Sequence, residues 1–171
     1  MKPADFFGES GVTIVAGKGG VGKTTVTAAL AVCASMAGLR TLVIEVEGKE
    51  AMASMFETGG LAYSELELVR AAEAHAGVHA RTLTPDDALL DYLAGRGFQR
   101  ISNRLVNSGL LDIIATAVPG IRDILVLGKV KQLERERTHD VILLDAPAAG
   151  HAITFLRSAR GLADAVRSGP I

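Results

Sequence analysis

The chain has 171 residues, enough for one domain with its own core, and its 49 % apolar and 22 % charged content is that of an ordinary globular protein. A formal net charge of -1 gives no push toward a polyanion, so no nucleic-acid partner is expected. The single cysteine, Cys33, excludes an internal disulfide framework and a cysteine-built zinc or metalloid cluster within the chain.

The opening residues, MKPADFFGES, lack the apolar core of a secretion signal. The longest uncharged run, Thr24 to Leu39, is shorter than the roughly 20 residues that cross a bilayer. A reducing, cytoplasmic setting is the expectation. Gly11 to Gly17 (GVTIVAG) is a short β-branched run ending in glycine and reads as a buried strand. Thr24 to Ala37 reads as a helix ended by Gly38; apolar or small residues on nearly every side, Cys33 among them, suit a helix packed deep against a sheet. Arg40 to Gly48 (RTLVIEVEG) is the second strand, and the three segments together make a βαβ unit with a parallel sheet.

Glu50 to Phe56 starts another helix, and Gly77 to Pro85 is read as the third strand. A helix follows from Pro85, with Asp86 and Asp87 in its first turn. Arg100 to Arg137 is helical in pattern, broken at Val118 to Ile121 by a Pro-Gly pair. Asp140 to His151 (DVILLDAPAAGH) is an apolar strand running straight into a loop, and Ala152 to Arg167 is a closing helix. The fold class is α/β: one domain over 1–171, a mostly parallel sheet flanked by helices, with a helical insertion at about 86–137 before the last strand.

The first strand and helix are joined by AGKGGVGKTT, in which Gly17, Gly22, Lys23 and Thr24 satisfy G-x-x-x-x-G-K-[ST]. This is a P-loop in its proper setting, strand before and helix after. Glycine lets backbone N–H groups of Gly17, Gly19, Gly20, Val21 and Gly22 turn inward toward phosphate oxygens, and the helix N-terminus adds its positive dipole end. Lys23 is expected on the β- and γ-phosphates of ATP, the Thr24 hydroxyl on Mg²⁺, and Thr25 on an α-phosphate oxygen. The Mg²⁺ ion needs a second anchor at the end of a buried strand, and Asp145, closing VILLD, is the candidate. Water at the γ-phosphate needs a carboxylate to orient it. Glu45 and Glu47 alternate with Val46 and share a face; Glu47 ranks first because it is nearer the strand's C-terminal end, where ligands sit in open α/β sheets. Lys18 is a second lysine on the loop, and an extended cation there is read as reaching nucleotide held by a second subunit.

The stretch KGGVGKTT, Lys18 to Thr25, resembles the deviant Walker A box of the SIMIBI class of P-loop ATPases, which includes partition ATPases, nitrogenase iron protein and ArsA-type ATPases. DAPAAGH, Asp145 to His151, looks like the switch II motif of the arsenite-pump and tail-anchored-protein-targeting members, and PGIRDILVLGKV, Pro119 to Val130, resembles the segment before it. The whole looks most like the N-terminal half of the bacterial anion-transporting branch, stopping short of the family's length. The resemblance implies Lys18 as the intersubunit lysine, Glu47 at the switch I aspartate position, and Gly150 and His151 at the γ-phosphate-sensing end of switch II. It implies a dimer, with a like chain or a related paralogue, that closes on a client; a membrane-protein client would meet the helical insertion, where Leu105 to Leu127 is rich in aliphatics. Glu in place of Asp at 47, and Ala148 and Ala149 in place of Pro-Thr, depart from the family pattern. The alternative readings are a positioning ATPase acting on DNA or a membrane surface, and a small-molecule ligase or kinase of the same class.

Overall fold

Runs of β-branched and aliphatic residues build the centre of the molecule. The structure, a computed structural model, describes residues 6–7, 11–46, 51–95, 97, 120–148, 153 and 157. Its strands are β1 (Val12–Gly17), β2 (Thr41–Val46), β3 (Leu66–Val69), β4 (Val78–Leu83) and β5 (Val141–Ala148). Its helices are α1 (Lys23–Met36), α2 (Ala51–Met55), α3 (Pro85–Gly95) and α4 (Ile121–Glu136). The five strands form one sheet in the order β1-β5-β2-β4-β3. All pairings are parallel except β3 with β4, so the sheet is mostly parallel, as the βαβ pattern requires.

β2 is buried along its whole length, which explains a sequence apolar on both faces. On one side Val43, Val78, Ala80, Val141 and Leu143 pack under Ala28, Ala31 and Ala34 of α1. On the other, Leu42, Ile44, Ile142 and Leu144 pack under Val126, Val130 and Leu133 of α4. The result is a helix–sheet–helix sandwich of three layers. Residues 121–136 of the expected helical insertion are therefore a covering layer of the sheet, and the aliphatics Val126 and Leu127 belong to core packing. α4 begins after Gly120, whose φ of 80° is the left-handed turn that the Pro-Gly break foretold. Residues 98–119 of that region and the expected closing helix at 152–167, apart from Ile153 and Arg157, lie outside the described residues.

Three expectations need correction. The strand over Gly77 to Pro85 is the fourth in chain order, because β3 precedes it; β3 is a four-residue antiparallel edge whose surroundings, rich in Glu, Leu and Ala, carry helix propensity rather than strand propensity. α1 is not enclosed on every side: Val26, Val32 and Met36 are exposed, Met36 to 71 %. Cys33 is exposed too, because positions 26, 33 and 36 share the helical stripe that faces away from the sheet. Among the described residues β1 lies at the sheet's edge, with Ile14 exposed.

A polar network fastens α3 and α4 to the sheet. Thr84 caps α3, accepting from the N–H of Asp87 at 3.2 Å. Further along α3, Asp91 accepts from the Tyr63 hydroxyl at 2.8 Å and from the ammonium of Lys129 on α4. The Arg81 guanidinium lies 4.4 Å over the Tyr63 ring and 3.6 Å from Glu65. Arg81 and Lys129 are both buried, so their carboxylate partners carry more weight than surface acids. The Lys129 hydrogen bond holds the Asp91 carboxyl below its ordinary range, and burial beside Asp91 pushes the Tyr63 phenol up. A carboxyl with a depressed folded pKa stabilises the fold above its unfolded pKa, and that stability is lost as pH falls through the folded value. Asp91→Ala is expected to cost about 3 kcal/mol, the low end for stranding a buried cation because Asp91 itself is partly exposed. In urea titrations the variant loses much of the wild type's acid sensitivity below pH 4. A midpoint unchanged from wild type at pH 7 would show the network to be idle.

Candidate functional site

Strand β1 runs in step with β5 from Val12 opposite Ile142 to Val15 opposite Asp145, then slips so that Gly17 meets Ala148. The glycine loop leaves the sheet at that slip. Gly20 and Gly22 hold φ of 76° and 87°, a conformation strained for any residue with a Cβ. A Cβ on Gly17 would stand 3.2 Å from the Val21 side chain, tighter than ordinary packing. The positive φ at 20 and 22 favours glycine there.

The loop delivers the chain into α1 with Gly22 as cap, no side-chain cap bond and no acid in the first turn. The first helical bond closes from Val26 N–H to the Gly22 carbonyl at 2.9 Å. The N–H groups of Lys23, Thr24 and Thr25 precede it and have no intrahelical acceptor. An uncapped N-terminus with no local carboxylate favours an anion there, through these donors and the helix dipole. Lys23 folds back over its own loop, donating from Nζ to the Lys18 carbonyl at 3.1 Å. A flexible ammonium held by one carbonyl can exchange it for phosphate oxygens. Lys18, Gly19, Gly20, Val21, Gly22 and Thr25 are exposed, lining the open side of the loop.

The sheet brings in the far end of the chain. Thr24 Oγ1 donates to Asp145 Oδ2 at 2.6 Å, across 121 residues of sequence. Asp145 is 1 % exposed, and its Oδ1 is buried without a hydrogen-bond partner among the described residues. A hydroxyl and a carboxylate with a spare oxygen, beside a phosphate loop, are hard oxygen donors that fit Mg²⁺, which takes one or two protein ligands and completes its shell with phosphate and water. Among the described residues no group of three or more His, Cys, Asp or Glu gathers into a metal cage.

The structure thus joins Gly17, Lys23, Thr24 and Asp145 in one place. Glu47, Gly150 and His151 lie outside the described residues. Glu45, ranked below Glu47 in the sequence, is 1 % exposed and pairs in register with Asp145. The clue to it was present: an acid two places inside a strand otherwise continuously apolar. No helix among the described residues is long and apolar enough to cross a membrane.

Comparison with known proteins agrees with this geometry. The family model for anion-transporting ATPases, the ArsA ATPases, matches residues 11–167. ATPase BagA of Mycobacterium tuberculosis is 35 % identical over 172 aligned residues, covering 92 % of this chain and 48 % of that protein. ATPase get3 of Aspergillus niger is 27 % identical over 146, covering 84 % of this chain and 41 % of its own length. The chain spans about half the length of these curated relatives. With its phosphate loop, uncapped helix and threonine–aspartate pair in place, and with the family pattern running through nearly all of its residues, the chain belongs to the anion-transporting (ArsA) ATPase family.

Proposed function

We propose that this chain is the nucleotide-binding half of an Mg-ATP-hydrolysing enzyme that acts as a dimer in the cytoplasm and couples its nucleotide state to a client. The observation that carries the reading is the Thr24–Asp145 hydrogen bond at 2.6 Å beside the folded-back Lys23. It unites the phosphate-binding and cation-binding groups that the sequence separates. Loop N–H groups of residues 17, 19–22 and the α1 N-terminus bind the phosphates, and Lys23 and Thr25 neutralise and orient them. Thr24 and Asp145 would hold Mg²⁺, which when bound draws charge from the β- and γ-phosphates. Glu47 orients the attacking water, and Gly150 and His151 sense the γ-phosphate. Lys18 serves the site of a like or related partner chain.

The edge of β1, with Ile14 exposed among the described residues, offers a place for a further strand to pair. The helical segment at about 86–137 carries the client surface on whatever it does not commit to the sheet, with a membrane protein as the kind of client its aliphatics suit. Calorimetric titration of the folded chain with ATP, with and without Mg²⁺, tests the reading. Saturable binding near micromolar, strengthened by Mg²⁺, is expected; a folded chain that takes no nucleotide would remove the proposal for this half acting alone.

A further inference from the structure

The end of the sheet remote from the phosphate loop carries two histidines. His79 is the second residue of β4, and His139 lies two residues before β5. His79 stands in register beside Leu42 of β2, whose row continues to Ile142 of β5 on the α4 face of the sheet. The two imidazoles meet edge to face, with ring centres 5.5 Å apart and planes at 67°. This geometry is favourable for uncharged rings. His139 belongs to the turn between α4 and β5, yet its side chain is only 8 % exposed. Its neighbours in the turn, Arg137, Thr138 and Asp140, are exposed. The His139 ring is thus the part of the turn that is tucked into the fold.

Charge is balanced around the pair before either ring takes a second proton. Arg40, ahead of β2, occupies both oxygens of Asp140, ahead of β5, at 2.8 and 3.0 Å. Glu65, ahead of β3, is shared: it lies 3.6 Å from Arg81 of β4 and 3.8 Å from His139 Nε2. The second distance is beyond hydrogen-bond range, so Glu65 offers a charged His139 only a long contact. Glu67 of β3, opposite His79 in the ladder, is paired with Arg70. At the end of α4, Glu134 and Glu136 engage Lys131 and Gln132 of the same helix. His79 Nδ1 is buried with no hydrogen-bond partner among the described residues. A second proton on that ring would leave a buried N–H without an acceptor. Two imidazolium rings in contact would also repel each other. The cluster holds neutral histidines well and charged ones badly.

We propose that His139 is the trigger of an acid-sensitive clasp. Neutral, its ring packs on His79 and pins the turn at 137–140 against β4; protonated, it leaves His79 for water and the turn opens. Burial is the main reason that the His139 ring holds its proton less tightly than an ordinary imidazole; His79 and Arg40 add to the effect, and Glu65 and Asp140 oppose it. A group whose folded pKa is depressed contributes stability that is complete above its unfolded value, about 6.5 for histidine, and is lost as pH falls through the folded value. The clasp is therefore closed at neutral pH and released in mild acid. It needs no nucleotide, so it stands apart from the Mg-ATP reading.

Proton NMR of the His139 ring, with urea unfolding and amide exchange, tests the clasp on the nucleotide-free chain. Wild-type His139 is expected to titrate below about 6.5. His79→Phe keeps a ring in contact but cannot charge, and should move that titration up. Glu65→Gln removes the one carboxylate beside Nε2 and should move it down. The wild-type urea midpoint should fall between about pH 7.5 and about pH 5, either side of the ordinary imidazole value, and His139→Phe should lose most of that fall. Amide exchange at 138–140 should rise at the lower pH beyond its intrinsic rate. A His139 that titrates at or above the ordinary value overturns the inference. So do shifts that are absent or of one sign in His79→Phe and Glu65→Gln, and a turn whose exchange is unchanged in acid. Should His139→Phe fail to fold, the wild-type, His79→Phe and Glu65→Gln titrations and the exchange data still decide.

Discussion

Lys23→Ala lowers ATP affinity by about two to three orders of magnitude while leaving the fold intact. The size follows from what the ammonium does between two phosphates. In the proposed site it would donate hydrogen bonds to charged oxygens, about 1.5–3 kcal/mol each, and every 1.4 kcal/mol is tenfold in affinity. The fold survives because the Lys23 side chain is held by the Lys18 carbonyl, at 3.1 Å, and takes no part in either hydrophobic cluster. Alanine is also the better helix former at the first position of α1. Circular dichroism and thermal unfolding of the variant should match wild type while titration with Mg-ATP shows the weakened binding. A variant that binds as tightly as wild type would mean that the loop N–H groups and the dipole of α1 hold the phosphates unaided. The lysine would then have to be sought at position 18.

What could be read from the residues themselves depended on how locally each feature is constrained. The β1–loop–α1 unit was legible because its requirements are local: glycine where φ is positive at 20 and 22, tight space for a Cβ at 17, and a helix starting at the lysine. Asp145 was legible because an acid ending four apolar strand residues is conspicuous. β3 was not, because a four-residue edge strand is decided by pairing with β4 and not by its own propensity. The outward stripe of α1 escaped for a related reason. Periodicity finds an amphipathic helix by its polar face, and a helix apolar all round gives no sign of which side the sheet leaves bare. The Tyr63–Asp91–Lys129 network draws on three segments far apart in the chain, a meeting that no local pattern announces. Glu45 falls between these cases. Its alternation with Glu47 was visible, but its register with Asp145 is supplied only by the assembled sheet.

Lys18→Ala should leave ATP binding within a few-fold of wild type and cut turnover by about a thousandfold, the lower end of what a cation supplied in trans contributes to phosphoryl transfer. The two halves of that expectation have separate grounds. Binding is spared because Lys18 offers its own loop a backbone carbonyl, which accepts from Lys23 and survives the substitution, while its side chain is exposed. Turnover falls because a cation on the outer rim of one loop can reach only a phosphate approached from outside, that is, from a partner chain. Mixing decides between trans and cis action. Lys18→Ala keeps a complete phosphate lysine, and Lys23→Ala keeps the lysine to be donated. Each is inactive alone, but a mixed dimer holds one composite site with both lysines. With random pairing, half the dimers are mixed and one of their two sites works, so an equal mixture recovers about a quarter of the wild-type rate. Recovery should rise with protein concentration as dimers form. If Lys18 instead served its own nucleotide, no mixture would regain activity, because neither chain then carries both lysines. A mixture as inactive as its parts, from chains shown to associate, would return Lys18 to its own site and remove the reason to place ATP between two subunits.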